Sequence, residues 1–160
     1  MVKTEYRRAL YDRMHACGVI FMIDRSVELT REEAAITLTG LESIRKADYF
    51  ALKQISDAQT DFVVLLEHNP TDAKVFLQSD ADLTLTGHTH GGQFRLPLIG
   101  GLYAPDQGIL PEYDGGAFYD AGHMLIINRG VGNSGFPFRV GNRPEIVTVT
   151  LHRMEGGETT

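Results

Sequence analysis

Tyr6, Leu10 and Met14 stand four positions apart in an otherwise polar stretch. That spacing predicts a helix over Thr4–Cys17, stopped by Gly18. The unbroken apolar run Val19–Ile23 predicts a buried strand. From Val27 to Leu41 apolar and polar residues alternate on both sides of the polar group Arg31–Glu33. Two strands about a turn are expected there, with Ile36 and Leu38 alternating with polar neighbours. A further helix is expected over Asp48–Ser56, with Ala51, Leu52 and Ile55 toward the core. Phe62–Leu66 is a short apolar run rich in β-branched residues, stopped at Pro70, so it reads as a buried strand. Thr71 is expected to cap a short helix reaching about Gln78, with Asp72 in its first turn. "DLTLTG" supplies the next strand, making Asp61–Thr86 a strand–helix–strand unit. Gly91–Gly122 shows no period. Its Phe94, Leu96, Leu98, Ile99, Leu102 and Tyr103 predict a packed, ordered loop, and long loops inside a domain are usually functional. "HMLIIN" and "PEIVTVTLHRM" are expected as two closing strands before a polar tail, "EGGETT".

The 160 residues suffice for one domain with a core. The net charge of −6 comes without any Lys/Arg-rich block, which argues against a surface that neutralises nucleic-acid phosphates. An acidic protein that handles phosphate needs a local positive centre, and a metal ion is the obvious one. Cys17 is the single cysteine, so no intrachain disulfide can form, and its apolar surroundings place it in the core. There is no apolar run of membrane-spanning length, and no signal-peptide core follows Met1. The chain as given is expected neither to span a membrane nor to be self-evidently exported.

The candidate chemistry is concentrated in three histidines. His68, His88 and His90 all fall just beyond expected strand ends, and open sheets place ligands outside the carboxyl ends of their strands. A lone histidine there is more often a hydrogen-bonded structural residue than a ligand. "GHTHGG" is more specific, because Gly87, Gly91 and Gly92 let the backbone turn sharply around two imidazoles. Histidines at i and i+2 on such a turn can address two ions, or both serve one. Asn69 reads as a turn residue beside Pro70 and Gln93 as a brace for the histidine loop. His15, His123 and His152 sit in helix or strand patterns and read as structural, while Asp80 and Asp82 read as caps or solvated residues.

The segments "LLEHNP", "DLTLTGHTHGGQFRLP" and "NRGVGNSGFPFRVGNRPEIVTVTL" resemble the calcineurin-like metallophosphoesterases, closest to the bacterial subgroup with Gly-His-Thr-His-Gly-Gly-Gln. Order and spacing agree from about residue 5 onward. The resemblance implies an α/β fold: half of a layered β-sandwich of mixed sheets flanked by helices, here filling residues 1–160. It implies phosphoester hydrolysis at a binuclear centre of divalent ions (Mn, Fe or Zn), with His68 and His88 serving one ion and His90 the other. It also places Arg129, and with a similar case Arg139, near the rim of the site facing phosphate. The family's remaining ligands come from Asp-x-His, Gly-Asp and Gly-Asn-His motifs in an earlier half of the fold, and none occurs in this sequence. The chain is therefore expected to be a C-terminal half, with the N-terminal half supplied as a preceding segment or a separate chain. A non-catalytic metal-binding remnant is the alternative reading. Membrane or envelope phosphodiesters are the substrates the subgroup suggests. Localisation stays open, because family members often carry an upstream anchor.

Overall fold

The computed structural model describes residues 2–41, 58, 60–133, 135 and 137–153. The helix expected over Asp48–Ser56 and the polar tail lie outside these residues. Among them the fold is α/β with a mixed sheet, as the resemblance implied. A six-stranded sheet dominates, and two two-stranded ribbons stand beside it.

β1 (Arg25–Arg31) and β2 (Ala34–Gly40) form the expected hairpin, paired from Arg25↔Gly40 to Arg31↔Ala34. β3 (Val63–Leu66), β4 (Leu83–Thr86) and β10 (His123–Ile127) join β2 in parallel register. β9 (Gly116–Asp120) closes the far edge antiparallel to β10. The order across the sheet is β1-β2-β3-β4-β10-β9, so four parallel strands lie between two antiparallel edges. Strands buried on both faces need apolar or hydrogen-bonded side chains throughout, which is why the short β3 reads "VVLL". The strand–helix–strand expectation holds: β3 leads through a 3-10 turn (Pro70–Asp72) and α2 (Ala73–Leu77) to its neighbour β4. The cap is Asn69 rather than Thr71, its Oδ1 accepting from the Thr71 N–H at 3.0 Å. Asn69 has the extended backbone from which a short side chain reaches the first free amides.

The core is two clusters. Val63 and Leu65 pack with Phe76 and Ala81, while Leu125 and Ile127 pack with Ala73 and Leu77. The short α2 supplies side chains to both.

Several expectations need correction. α1 (Val2–Ala16) forms and stops at Gly18, whose φ is +84°, but Tyr6, Leu10 and Met14 face solvent. Cys17 is exposed. Val19–Ile23 is not a strand: Phe21 stacks on Tyr11 of α1 with ring centroids 4.0 Å apart, folding the segment back on the helix. Residues 144–153 are coil rather than a strand, with no ladder partner among the described residues, and Ile146, Val149 and Leu151 stay exposed. The "irregular" 91–122 segment holds β5 (Arg95–Leu96) paired with β6 (Gly100–Gly101), and β7 (Tyr103–Ala104) paired with β8 (Gly108–Ile109), besides β9. Ribbons only two residues long carry too few alternating positions to register as a period.

Candidate metal centre

Because β3, β4 and β10 are parallel, their carboxyl ends share one edge, and just beyond those ends stand His68, His88 and Arg129. The ladder runs on past the strands: Gly87 N donates to His68 O at 3.1 Å and Asn128 N to Thr86 O at 2.9 Å. These bonds hold the histidine loops side by side.

The His-Thr-His turn is built by its middle residue. His88 and His90 both take left-handed backbone, φ +66° and +49°, while Thr89 between them is right-handed at φ −68°. Non-glycine residues enter the left-handed region only when their surroundings hold them there. Thr89 is fully buried, donates from Oγ1 to Asp114 O at 2.8 Å and accepts from Gly91 N at 3.3 Å. Asp114, itself buried, pairs with Arg95 Nη1 at 2.9 Å, and that same nitrogen donates to Gly91 O at 3.0 Å. The two glycines that follow His90 are sterically required. A Cβ on Gly91 would lie 2.7 Å from Asn142 Oδ1, and one on Gly92 would lie 2.6 Å from Gly101 Cα. Asn142, buried, ties the turn from behind by donating to His90 O at 2.6 Å.

The turn brings the histidines together. His88 Nδ1 lies 3.1 Å from His68 Nε2, with the rings edge-on at 4.9 Å between centroids. The basicity of His68 is lowered, first by desolvation and then by repulsion from His88 and His90. His90 follows two residues after His88 on the same turn. His90 is braced from its other side: Nδ1 lies 3.1 Å from Gly132 O and 3.4 Å from Arg139 Nη2. That Nη2 already donates to Arg129 O at 2.9 Å and to Gly132 O. The Nδ1 proton of His90 therefore goes to the Gly132 carbonyl, and Nε2 keeps the lone pair. His88 is arranged the other way round, with Nε2 3.3 Å from Asp106 Oδ2 and Nδ1 toward His68. Two ligands of one ion, each at about 2.0–2.1 Å, stand roughly 3 Å apart. The His68–His88 separation fits that edge. Among the described residues, however, no group of three or more His, Cys, Asp or Glu converges as a metal cage.

Arg129 is committed largely elsewhere. Its Nε and Nη2 fork onto Glu145 at 3.1 and 2.7 Å, and its backbone N adds a third bond at 3.1 Å. Glu145 is held below its ordinary carboxylate range by those Arg129 bonds. Arg139, through its bonds to the Gly132 and Arg129 carbonyls, braces the loop under His90. His123 Nδ1 donates to Ala81 O, 2.8 Å away at the opposite edge of the sheet, in keeping with its structural reading. Asp82 accepts from Val63 N at 2.7 Å and caps the start of β3. Asp106, Asp114, Asn142 and Glu145 are the residues that reading the chain did not single out. "APDQG" marks a turn at Asp106, but no local pattern says which histidine it meets.

No family profile and no solved structure gives a significant match to the chain. Curated relatives do. It is 32% identical over 146 residues to the uncharacterized protein YpbG of Bacillus subtilis, covering 89% of this chain and 52% of that protein. It is 36% identical over 100 residues to the uncharacterized metallophosphoesterase YkuE of Bacillus subtilis (62% of this chain, 34% of YkuE). With the phosphodiesterase YaeI of Escherichia coli it shares 29% identity over 150 residues, 94% of this chain and 54% of YaeI. The chain is therefore similar to part of proteins named metallophosphoesterase or phosphodiesterase. It spans about half the length, or less, of these relatives. A metallophosphoesterase needs metal ligands, and the only imidazole pair at hydrogen-bond distance among the described residues is His68–His88, at the strand ends.

Proposed function

We propose that this chain is the C-terminal, histidine-bearing half of a divalent-metal phosphoesterase. His68 and His88 serve one ion and His90 a second, and carboxylate ligands come from a half that lies outside these 160 residues. The observation that carries the reading is the His68 Nε2–His88 Nδ1 separation of 3.1 Å at the carboxyl ends of adjacent parallel strands. Bound ions supply positive charge to the phosphoryl oxygens and acidify water. The chain's own part is to hold neutral imidazoles in place. Gly132 O keeps the His90 proton on Nδ1, so Nε2 can ligate. Lowered basicity keeps His68 unprotonated and available as a ligand. Arg129 has Nη1 left over from Glu145 for a phosphate oxygen, and Arg139 stays behind His90 as a brace. Phosphodiesters are the substrate class to test first, because YaeI is named a phosphodiesterase.

Mn²⁺ titration with bis-p-nitrophenyl phosphate tests the reading. The chain alone should bind metal through the histidines and turn over poorly. Co-expression with a segment carrying the Asp-x-His, Gly-Asp and Gly-Asn-His motifs should restore metal-dependent hydrolysis that His88→Ala and His90→Ala abolish. Robust hydrolysis by the chain alone, lost in His88→Ala, would mean that a different constellation does the work. The absence of a three-ligand cage among the described residues supports a dependence on the other half.

A further inference from the structure

Asp106 has no part in the proposed metal centre, yet its carboxylate is aimed at the histidine pair. It sits at the tip of the β7–β8 ribbon, in the turn at 105–107. Its Oδ2 lies 3.3 Å from His88 Nε2 and 3.0 Å from Asn69 Nδ2. The ribbon is held firmly enough to aim it. Ala104, which pairs with Gly108 to close the turn, is fully buried, and Gln107 clasps the Tyr113 backbone by donating to O at 2.9 Å and accepting from N at 3.0 Å. Asn69 in turn is anchored by Thr71, whose hydroxyl donates to it at 2.6 Å.

We infer that Asp106 is a positioning residue for metal binding, resting on the reading of His68 and His88 as ligands. An ionised carboxylate only accepts hydrogen bonds, so the proton of neutral His88 must sit on Nε2. Nδ1 then carries the lone pair, and Nδ1 is the atom 3.1 Å from His68 Nε2. One contact thereby selects the ligating nitrogen, fixes the ring's rotation and makes Nδ1 a stronger donor. A histidine ligand that hands its second N–H to a carboxylate typically loses about 10–100-fold in metal affinity when that partner is removed. The Gly91–Gly122 segment gains a function by this: its middle ribbon carries the residue that selects the ligating nitrogen of His88.

The backbone at Asp106 supplies a clean test. Its φ is +63°, which glycine tolerates freely and asparagine well. If Asp106 serves only the turn, Asp106→Gly and Asp106→Asn should both bind metal like the unaltered chain. If it positions His88, affinity for Zn²⁺, measured by competition with a chromophoric chelator, should fall about 10–100-fold in Asp106→Gly. Asp106→Asn, which keeps a neutral oxygen acceptor, should fall between. In the metal-free chain, nitrogen-15 spectra should show a slowly exchanging His88 Nε2–H that disappears in Asp106→Gly and persists in Asp106→Asn. Unchanged Zn²⁺ affinity in Asp106→Gly alongside a loss in His88→Ala overturns the positioning role alone. Unchanged affinity in His88→Ala overturns the ligand reading and the inference with it. A wild-type His88 with no protected Nε2–H overturns the Asp106 contact whatever the metal does. Circular dichroism of each variant confirms the fold, and the asparagine variant decides the matter if the glycine variant unfolds.

Discussion

Single residues of the site depend on backbone that most side chains avoid. His88 and His90 hold positive φ because Thr89 between them is buried and bonded to Asp114 O. Thr89→Val keeps the shape and removes that donor, leaving a buried carbonyl short of a partner. A loss of about 1–3 kcal/mol in urea unfolding is expected. Gly91→Ala adds a methyl 2.7 Å from Asn142 Oδ1 at a φ of +64°, so it should cost at least as much and weaken Zn²⁺ binding by displacing His90. His68→Ala and His88→Ala should each weaken Zn²⁺ binding strongly in the same competition assay. His123→Ala should leave it unchanged, because that ring belongs to Ala81 O at the far edge of the sheet.

Among the elements, the least regular do the holding. The segment from Arg129 to Asn142 carries no strand among its described residues, yet it braces the histidine turn through Gly132 O, Arg139 and Asn142. Its return is pinned by the fork of Arg129 onto Glu145, with both side chains less than a third exposed. Glu145 is depressed below its ordinary value of 4.5, led by the Arg129 hydrogen bond. A carboxylate lowered in the fold binds fewer protons folded than unfolded across that window. Its stabilisation is therefore complete above about pH 4.5 and is lost as pH falls through the depressed folded value. Glu145→Gln should destabilise the chain at neutral pH by roughly 1.5–3 kcal/mol, the range of hydrogen bonds to charged groups. The gap between variant and wild type in urea midpoint should close in acid. A gap that persists below that window would assign the stabilisation to packing instead of charge.

The whole molecule displays surfaces that suit a partner. Tyr6, Ile20, Ile23, Leu29, Ile146 and Leu151 are all exposed, several by more than half of their area. On the proposal that a carboxylate-bearing half completes the site, these exposed apolar side chains are the candidates for contact with it. Removing metal with a chelator should abolish hydrolysis by the completed enzyme. It should leave the chain's own circular dichroism largely intact, because the core of Leu65, Leu125 and Ile127 lies inside the sheet and does not depend on the ion. Collapse of the fold on chelation would instead make the metal a structural one.

Legible along the chain itself is whatever is local. The β1–β2 hairpin, β4 and α1 announce themselves because their apolar positions repeat at the period of the element, and β3 and β10 because each is a short unbroken apolar run. The glycine-flanked His-Thr-His announces itself because its chemistry is compressed into a few consecutive residues. Val19–Ile23 and residues 144–153 show where such reasoning stops. An apolar run states a tendency to be buried or extended, and only a neighbouring strand with free hydrogen-bonding groups turns it into part of a sheet; in this fold Phe21 meets Tyr11 instead. The supports of the site were decided by tertiary structure alone. Asp106 meets His88 across 18 residues, Glu145 meets Arg129 across 16, and Asn142 meets His90 across 52. Contacts that distant leave no periodic trace, because they depend on how parallel strands set their loops side by side and not on any residue's immediate neighbours.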